Sequence, residues 1–264
     1  STLFPYTTLF RSPYRTRSAV RMEQAERGRA LALSWTQQSL WFIDRLEGGS
    51  KAYHAPLSMR LLGELDVGAL QAALDGVIER HESLRTIFVE VGGEPVQEIQ
   101  APWSLSLQRE DLSALDEDAR EARVLRRTQQ ELAEPFDLSR GPLIRGRLLR
   151  LSAQEHVLVI TLHHIVTDGW STGVLIRELS ELYEAHREGR PARLAALPIQ
   201  YADYAQWQRQ WLSGEVLQEQ LEYWREELGG APELLELPTD RPRPAAQSYA
   251  GGNVRLYGDR KSVV

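Results

Sequence analysis

The chain has no cysteine among its 264 residues and only two methionines. The first absence excludes a disulfide framework, a zinc-thiolate site and a cysteine nucleophile, and it suits a cytoplasmic setting. No apolar run approaches the roughly 20 residues of a transmembrane helix. Excess positive charge is missing too: 31 Lys and Arg stand against 37 Asp and Glu, a formal net charge of -6. Nothing electrostatic therefore favours nucleic acid or an anionic membrane as partner. Internal repeats are absent. What remains is an ordinary globular composition, 42% hydrophobic and 26% charged, with enough length for a substantial core.

The two ends stand apart from the rest. Arg11, Arg15, Arg17 and Arg21 precede the first acid, Glu23, in the manner of an organelle transit peptide. A different origin fits better. Thr2 to Ser12, TLFPYTTLFRS, resembles the translation of a common short-read sequencing adapter, and Asp259 to Val264, DRKSVV, resembles that of its other strand. Residues 1–12 and 259–264 are therefore expected to be library-derived, with 13–30 a linker.

Between them, Leu33, Gln37, Leu40 and Trp41 suit one face of a short helix within Leu31 to Leu46. Pro56 to Leu62 reads as a strand. Asp66 is a good N-cap for a helix striped by Val67, Leu70, Leu74, Val77 and Ile78 and ending near His81. Thr86 to Val91 and Glu94 to Ile99 flank Gly92-Gly93 as a hairpin. Asp116 to Glu134 is a charged surface helix stopped by Pro135. A Gly141-Pro142 turn then leads to strand Leu143 to Leu151. Val157 to Leu162 is continuously apolar, as in a central strand covered on both faces. The next helix buries Leu175, Leu179, Leu182 and Tyr183. Two more follow, Tyr201 to Leu212 and Glu215 to Leu228, the second with Leu217, Leu221, Trp224 and Leu228 as a buried seam. Pro238 to Pro244 is a stiff crossing segment, and Ser248 to Leu256 could start a further strand.

The chemistry concentrates in His163-His164-Ile165-Val166-Thr167-Asp168-Gly169. Adjacent strand residues point to opposite sides of a sheet, so only one histidine can face a given cavity. Taken alone, a histidine at a strand end is about four times in five structural, and Asp168 could simply cap the following helix. A metal site lacks a third ligand at recognisable spacing. By itself the pattern is only suggestive.

Agreement along the chain makes it specific. LSWTQQSLWFIDRL (Leu33 to Leu46), RHESLRTIF (Arg80 to Phe88), LHHIVTDGWS (Leu162 to Ser171) and YADYAQW (Tyr201 to Trp207) resemble, in order, the first four motifs of nonribosomal peptide synthetase condensation domains. The resemblance runs from about Leu31 to Leu256, with YWREELGGAPELLELPTDRPRP (Tyr223 to Pro244) included. It implies an α/β two-layer sandwich, one lobe of a chloramphenicol-acetyltransferase-like pair in which the active site lies in the tunnel between lobes. On this reading the second lobe is expected to be missing from the 264 residues. On this basis residues 31–244 are the amino-terminal lobe, and 245–258 start the crossover to the missing one.

The same resemblance implies an acyltransferase that joins a donor acyl thioester to an acceptor aminoacyl thioester, both on phosphopantetheine arms of carrier proteins. No cofactor is bound directly. The implied partners are donor and acceptor peptidyl carrier domains and the adenylation domain of the same synthetase. His164 faces the tunnel, either as a base toward the attacking amine or as a group that positions it. His163 is buried and hydrogen-bonded behind the site. Asp168 is expected to pair with an arginine of the second motif, Arg80 or failing that Arg85. Gly169 is expected to allow close backbone approach or a positive φ, with its amide toward the reacting centre. Trp170 would line the tunnel or support the loop. Tyr201, Tyr204, Trp207 and Trp211 read as packing.

Trp170-Ser171 and Trp41-Phe42-Ile43 resemble members that condense two L-residues rather than epimerisation relatives. Ser39, where the family usually has arginine, departs from the pattern, as do Trp35 and Thr36. Two other readings remain: a non-catalytic carrier-docking module, and a metal hydrolase built on His163, His164 and Asp168.

Overall fold

A computed structural model describes residues 21–48 and 51–232, with 234, 238, 239, 241 and 242. The expected library-derived ends and crossover start, 1–12, 245–258 and 259–264, lie outside the described residues, as do 13–20 of the linker. In order the elements are β1 (Leu31–Ala32), α1 (Trp35–Glu47), β2 (His54–Leu62), α2 (Val67–Arg80), β3 (Thr86–Val91), β4 (Glu94–Ile99) and β5 (Leu107–Asp111). After them come α3 (Glu117–Ala133), β6 (Ile144–Ser152), β7 (Glu155–His163), α4 (Gly169–Glu188), α5 (Tyr201–Trp211) and α6 (Gly214–Glu227).

Four strands form one sheet in the order β2-β7-β6-β5, antiparallel except for the parallel pair β5 and β6. A smaller antiparallel sheet runs β1-β4-β3. Strand alternation explains why β7 is apolar on both faces from Val157 to Ile160. Leu158, Ile160 and Leu162 join Leu70, Leu74, Val77, Leu175 and Leu179 of α2 and α4 in one core. Val157 and Val159 join Leu112, Leu149, Leu151 and Val124 of α3 in another. The large sheet is thus the middle of three layers, not one of two as expected. The sequence hides the third layer because α3 has a single buried residue, the charged Glu131.

Polar contacts attach α3. Glu131 receives Nε and Nη2 of Arg147 at 2.9 and 2.6 Å. Arg145 donates to the carbonyls of Glu131, Glu134 and Pro135, satisfying acceptors that the helix end leaves open. Glu110 of β5 takes Arg123 and Arg127 from the same helix.

Helix starts follow their caps. Ser34, Asp66, Asp116 and Asp168 each accept a backbone N–H from the first turn of α1, α2, α3 and α4. Gly48 and Gly189, at φ 68 and 64, end α1 and α4 in the left-handed region where a side chain would be strained.

Packing begins upstream of Leu31. Ala25 is buried with Leu31 and Ala202, and Arg27 reaches Asp203 at 2.6 Å and Glu82 at 2.8 Å. By contacts the chain divides into residues 1–219 and 220–264, and the site lies wholly in the first. No residue of α6 is buried; the seam expected there is absent, and Trp224 and Leu228 are 46% and 59% exposed.

Candidate active site

The site is built at the end of β7. The ladder holds the strand to its last residue: His163 N–H donates to Leu143 O at 3.1 Å and His164 N–H to Tyr53 O at 2.8 Å. The chain then folds on itself as Val166 N–H returns to His163 O at 3.0 Å. Ile165 and Val166 explain the apolar residues inside the motif. They plug the loop into a core with Leu33, Phe88, Phe136, Leu138 and Leu143.

Alternation separates the two imidazoles. His163, 1% exposed, turns toward the α3 side, its ring 6.0 Å from Phe136 and 6.2 Å from His54. Its Nδ1 accepts the N–H of Ile165 at 3.1 Å, which puts the ring hydrogen on Nε2. That nitrogen is buried and has no partner among the described residues. Burial, reinforced by the neighbouring His54 and His164 rings, depresses His163 to about 4. It is a neutral, structural imidazole at any ordinary pH. His54, whose Nδ1–H donates to Leu132 O at 2.8 Å, is also lowered, chiefly by burial.

His164 is exposed at the head of the loop. Its Nδ1 lies 3.2 Å from Thr167 O, and a carbonyl can only accept. In the neutral ring the hydrogen therefore sits on Nδ1, and Nε2 offers its lone pair. A loop carbonyl thus does for His164 what a carboxylate does in many hydrolytic sites: it fixes the tautomer.

Asp168 departs from expectation. Its Oδ1 accepts Ser171 N–H at 2.8 Å and Ser171 Oγ–H at 2.6 Å, capping α4. The second-motif arginines are engaged elsewhere. Arg80, at the end of α2, meets buried Glu178 of α4 at 2.9 Å and Ala195 O at 2.6 Å. Arg85 donates to Gln100 O at 2.5 Å. The pairing fails because α2 runs beside the middle of α4 and offers Arg80 a nearer acid, Glu178, while Asp168 caps α4 through Oδ1. Glu178 also takes His81 Nε2 at 2.7 Å. Burial works to raise Glu178, but the bond from His81 and the charges of His81 and Arg80 hold it below its usual range.

Gly169 is the first residue of α4, has no positive φ, and a Cβ there would meet nothing within 4 Å. Among the described residues neither a strained backbone nor a crowded one requires glycine there. Trp170 follows, 48% exposed.

Two residues that the sequence assigns only to packing make polar contacts here. Gln37 of α1, only 2% exposed, donates Nε2–H to Ile165 O at 3.3 Å inside the histidine loop. The hydroxyl of Tyr201 lies 3.1 Å from Ser34 Oγ. The sequence places Gln37 only on an apolar helical face; its position three residues after an N-cap serine is the signal that marks it.

A match to the Condensation domain family covers residues 28–261. The chain belongs to the condensation-domain family. Among curated relatives, one of the linear gramicidin synthase proteins of Brevibacillus parabrevis is 48% identical over 242 residues, 92% of this chain and 5% of that protein. Malpinin synthetase of Mortierella alpina is 43% identical over 267 residues, 96% of this chain and 3% of that protein. The condensation-domain chain is thus a small part of the length of the curated relatives it matches. Among solved structures, the X-domain from teicoplanin biosynthesis superposes with a TM-score of 0.74 at 34% identity, covering 86% of this chain and 49% of that one.

Proposed function

We propose that this chain is the amino-terminal lobe of a condensation domain that forms a peptide bond between two carrier-bound thioesters. The observation that carries the reading is the exposed imidazole of His164, held in one neutral tautomer by Thr167 O so that Nε2 keeps its lone pair. The acceptor's α-amine attacks the donor thioester carbonyl, and the new C–N bond forms as the C–S bond breaks. The departing phosphopantetheine thiolate takes up a proton. His164 Nε2 either receives the proton the amine loses or holds that amine by a hydrogen bond.

The lobe belongs to a chloramphenicol-acetyltransferase-like pair, and the donor and acceptor reach His164 through the tunnel between lobes. The substrates arrive on carrier-domain arms, charged by a partner adenylation domain in the cytoplasm, and the condensation domain binds no cofactor of its own. Trp170-Ser171 supports the type that joins two L-residues. The 264-residue chain alone has negligible turnover, because the opposite wall of the tunnel belongs to the other lobe. Among the described residues no group of three or more His, Cys, Asp or Glu is placed to hold a metal ion.

The test is condensation by the intact synthetase with both carriers loaded, comparing His164→Ala with the unmodified domain. Loss of product with carrier binding retained supports the reading. Unchanged product formation would overturn it, and carrier binding without turnover in every version would favour a docking module.

A further inference from the structure

The loop that carries His164 is pinned on both sides of one residue. Ile165 N–H is held by the His163 ring at 3.1 Å, and Ile165 O by the side chain of Gln37 at 3.3 Å. These two bonds fix the orientation of both peptide planes that flank Ile165, including the one that joins it to His164. Gln37 belongs to a different element, some 128 positions away in the chain.

Gln37 is itself immobilised. Its Oε1 accepts Ser34 N–H at 3.0 Å and its own N–H donates to Ser34 Oγ at 3.2 Å, closing a capping box. Nε2 is also 3.4 Å from Gln97 Oε1 in β4, whose Nε2 in turn donates to Ala32 O at 2.8 Å. A capping box needs only the acceptor of residue 37, which glutamate supplies as well. Here a donor is used, and it is aimed at the histidine loop.

We infer that Gln37 is a positioning residue of the condensation site: its side-chain N–H, delivered by the first motif, sets the pose of the loop that presents His164. This rests on the reading of His164 above. It also gives the first and third motifs a shared physical task, since one supplies the donor and the other the carbonyl it holds. A displacement of the imidazole by a fraction of its own width is enough to cost on the order of 10- to 100-fold in rate when positioning matters.

Two variants separate the donor from the cap. Gln37→Glu keeps the acceptor for Ser34 N–H and removes the donor; Gln37→Met removes both. In the intact synthetase both are expected to lower kcat on the order of 10- to 100-fold with acceptor KM nearly unchanged. Neither should slow the reaction further in a His164→Ala background. Additive losses there, or a rise in KM with kcat intact, would overturn the inference.

The unmodified chain gives a measurement that does not depend on turnover or on either variant folding. By NMR the Gln37 side-chain amide hydrogens should exchange slowly and the His164 ring should show a single neutral tautomer. Exchange at the solvent rate overturns the inference. If His164→Ala proves harmless while the Gln37 amide is protected, the functional reading fails and the contact stands.

Discussion

Ile165 donates its backbone N–H to Nδ1 of His163 at 3.1 Å, so the buried imidazole must keep that nitrogen free of a proton. Protonating His163 removes the acceptor and places a charge where 1% of the residue meets solvent. The first histidine of the motif is therefore a structural part with an acid limit.

That limit has a definite sign. The folded-state value is about 4 and the unfolded reference 6.5, so between them the unfolded chain binds more protons than the folded one. Stability from this group is full above about pH 6.5 and drains away as pH falls toward about 4. Between about pH 7.5 and about pH 5 the chain should lose about 2 kcal/mol by this route. Urea unfolding at the two pH values measures it, and His163→Asn, which cannot titrate, should flatten the difference. An equal pH dependence in that variant would mean that another group is responsible. Glu178 and Asp203 are held below their ordinary carboxylate values, so their losses fall in a more acid window.

The second motif is expected to show its coupling to α4 rather than to the histidine loop. Arg80→Met should cost roughly 3 kcal/mol, since it takes from buried Glu178 its guanidinium partner. Asp168→Ala should cost about 1 kcal/mol, the value of a helix cap. In double-mutant cycles Arg80 and Glu178 should couple strongly, whereas Arg80 and Asp168 should add. A coupling above about 1 kcal/mol between Arg80 and Asp168 would restore the pairing that the sequence suggests.

The two histidines should also separate cleanly in stability. His164 is exposed and its ring contributes one hydrogen bond on the loop it belongs to. His164→Ala should stay within about 0.5 kcal/mol. His163→Ala empties a core position and orphans Ile165 N–H, and should cost roughly 2 to 4 kcal/mol. Thermal or urea melts of the two single variants decide this, and similar losses in both would mean that exposure does not separate their roles.

Legibility in the sequence followed the physical origin of each signal. Helices with a cap and an apolar stripe were readable almost to the residue: Asp66 and the stripe from Val67 to Ile78 mark α2, and Gly92-Gly93 marks the β3 to β4 hairpin. β5 was not readable, because it is a short edge strand. It carries one apolar residue and three charges, and it is recruited by parallel pairing with β6. α3 was read as a surface helix for the same reason that its layer was missed: ion pairs attach it, and a charge pattern does not say which charges meet. The histidine segment itself was legible as a strand end running into a capped helix. The partner of Asp168 was not, since whether a carboxylate takes its own helix's amides or a distant arginine depends on where α2 passes α4. Gln37 escaped for a related reason: its partner is a backbone carbonyl far along the chain, which no spacing announces.

The amino-terminal segment and α5 should behave as one unit. Asp203, buried on the inner side of α5, accepts Ala25 N–H at 2.9 Å, Arg27 Nη1–H at 2.6 Å and Gln200 N–H at 2.6 Å. Farther along, Gln208 Oε1 takes Trp35 N–H at 2.9 Å, and Arg209 donates to Leu33 O at 2.7 Å while its guanidinium stacks 3.7 Å over the Trp35 ring. Only Ala202, Asp203 and Ala205 of α5 are buried, so little apolar area holds the helix without these stitches. Asp203→Ala should therefore release α5 and residues 24–30 together. Hydrogen exchange is expected to accelerate at Tyr201–Trp211 while β7, buried on both faces, keeps its protection. Uniform acceleration across the described residues would instead make Asp203 part of the global core, and unchanged exchange in α5 would show that the stitches carry no weight.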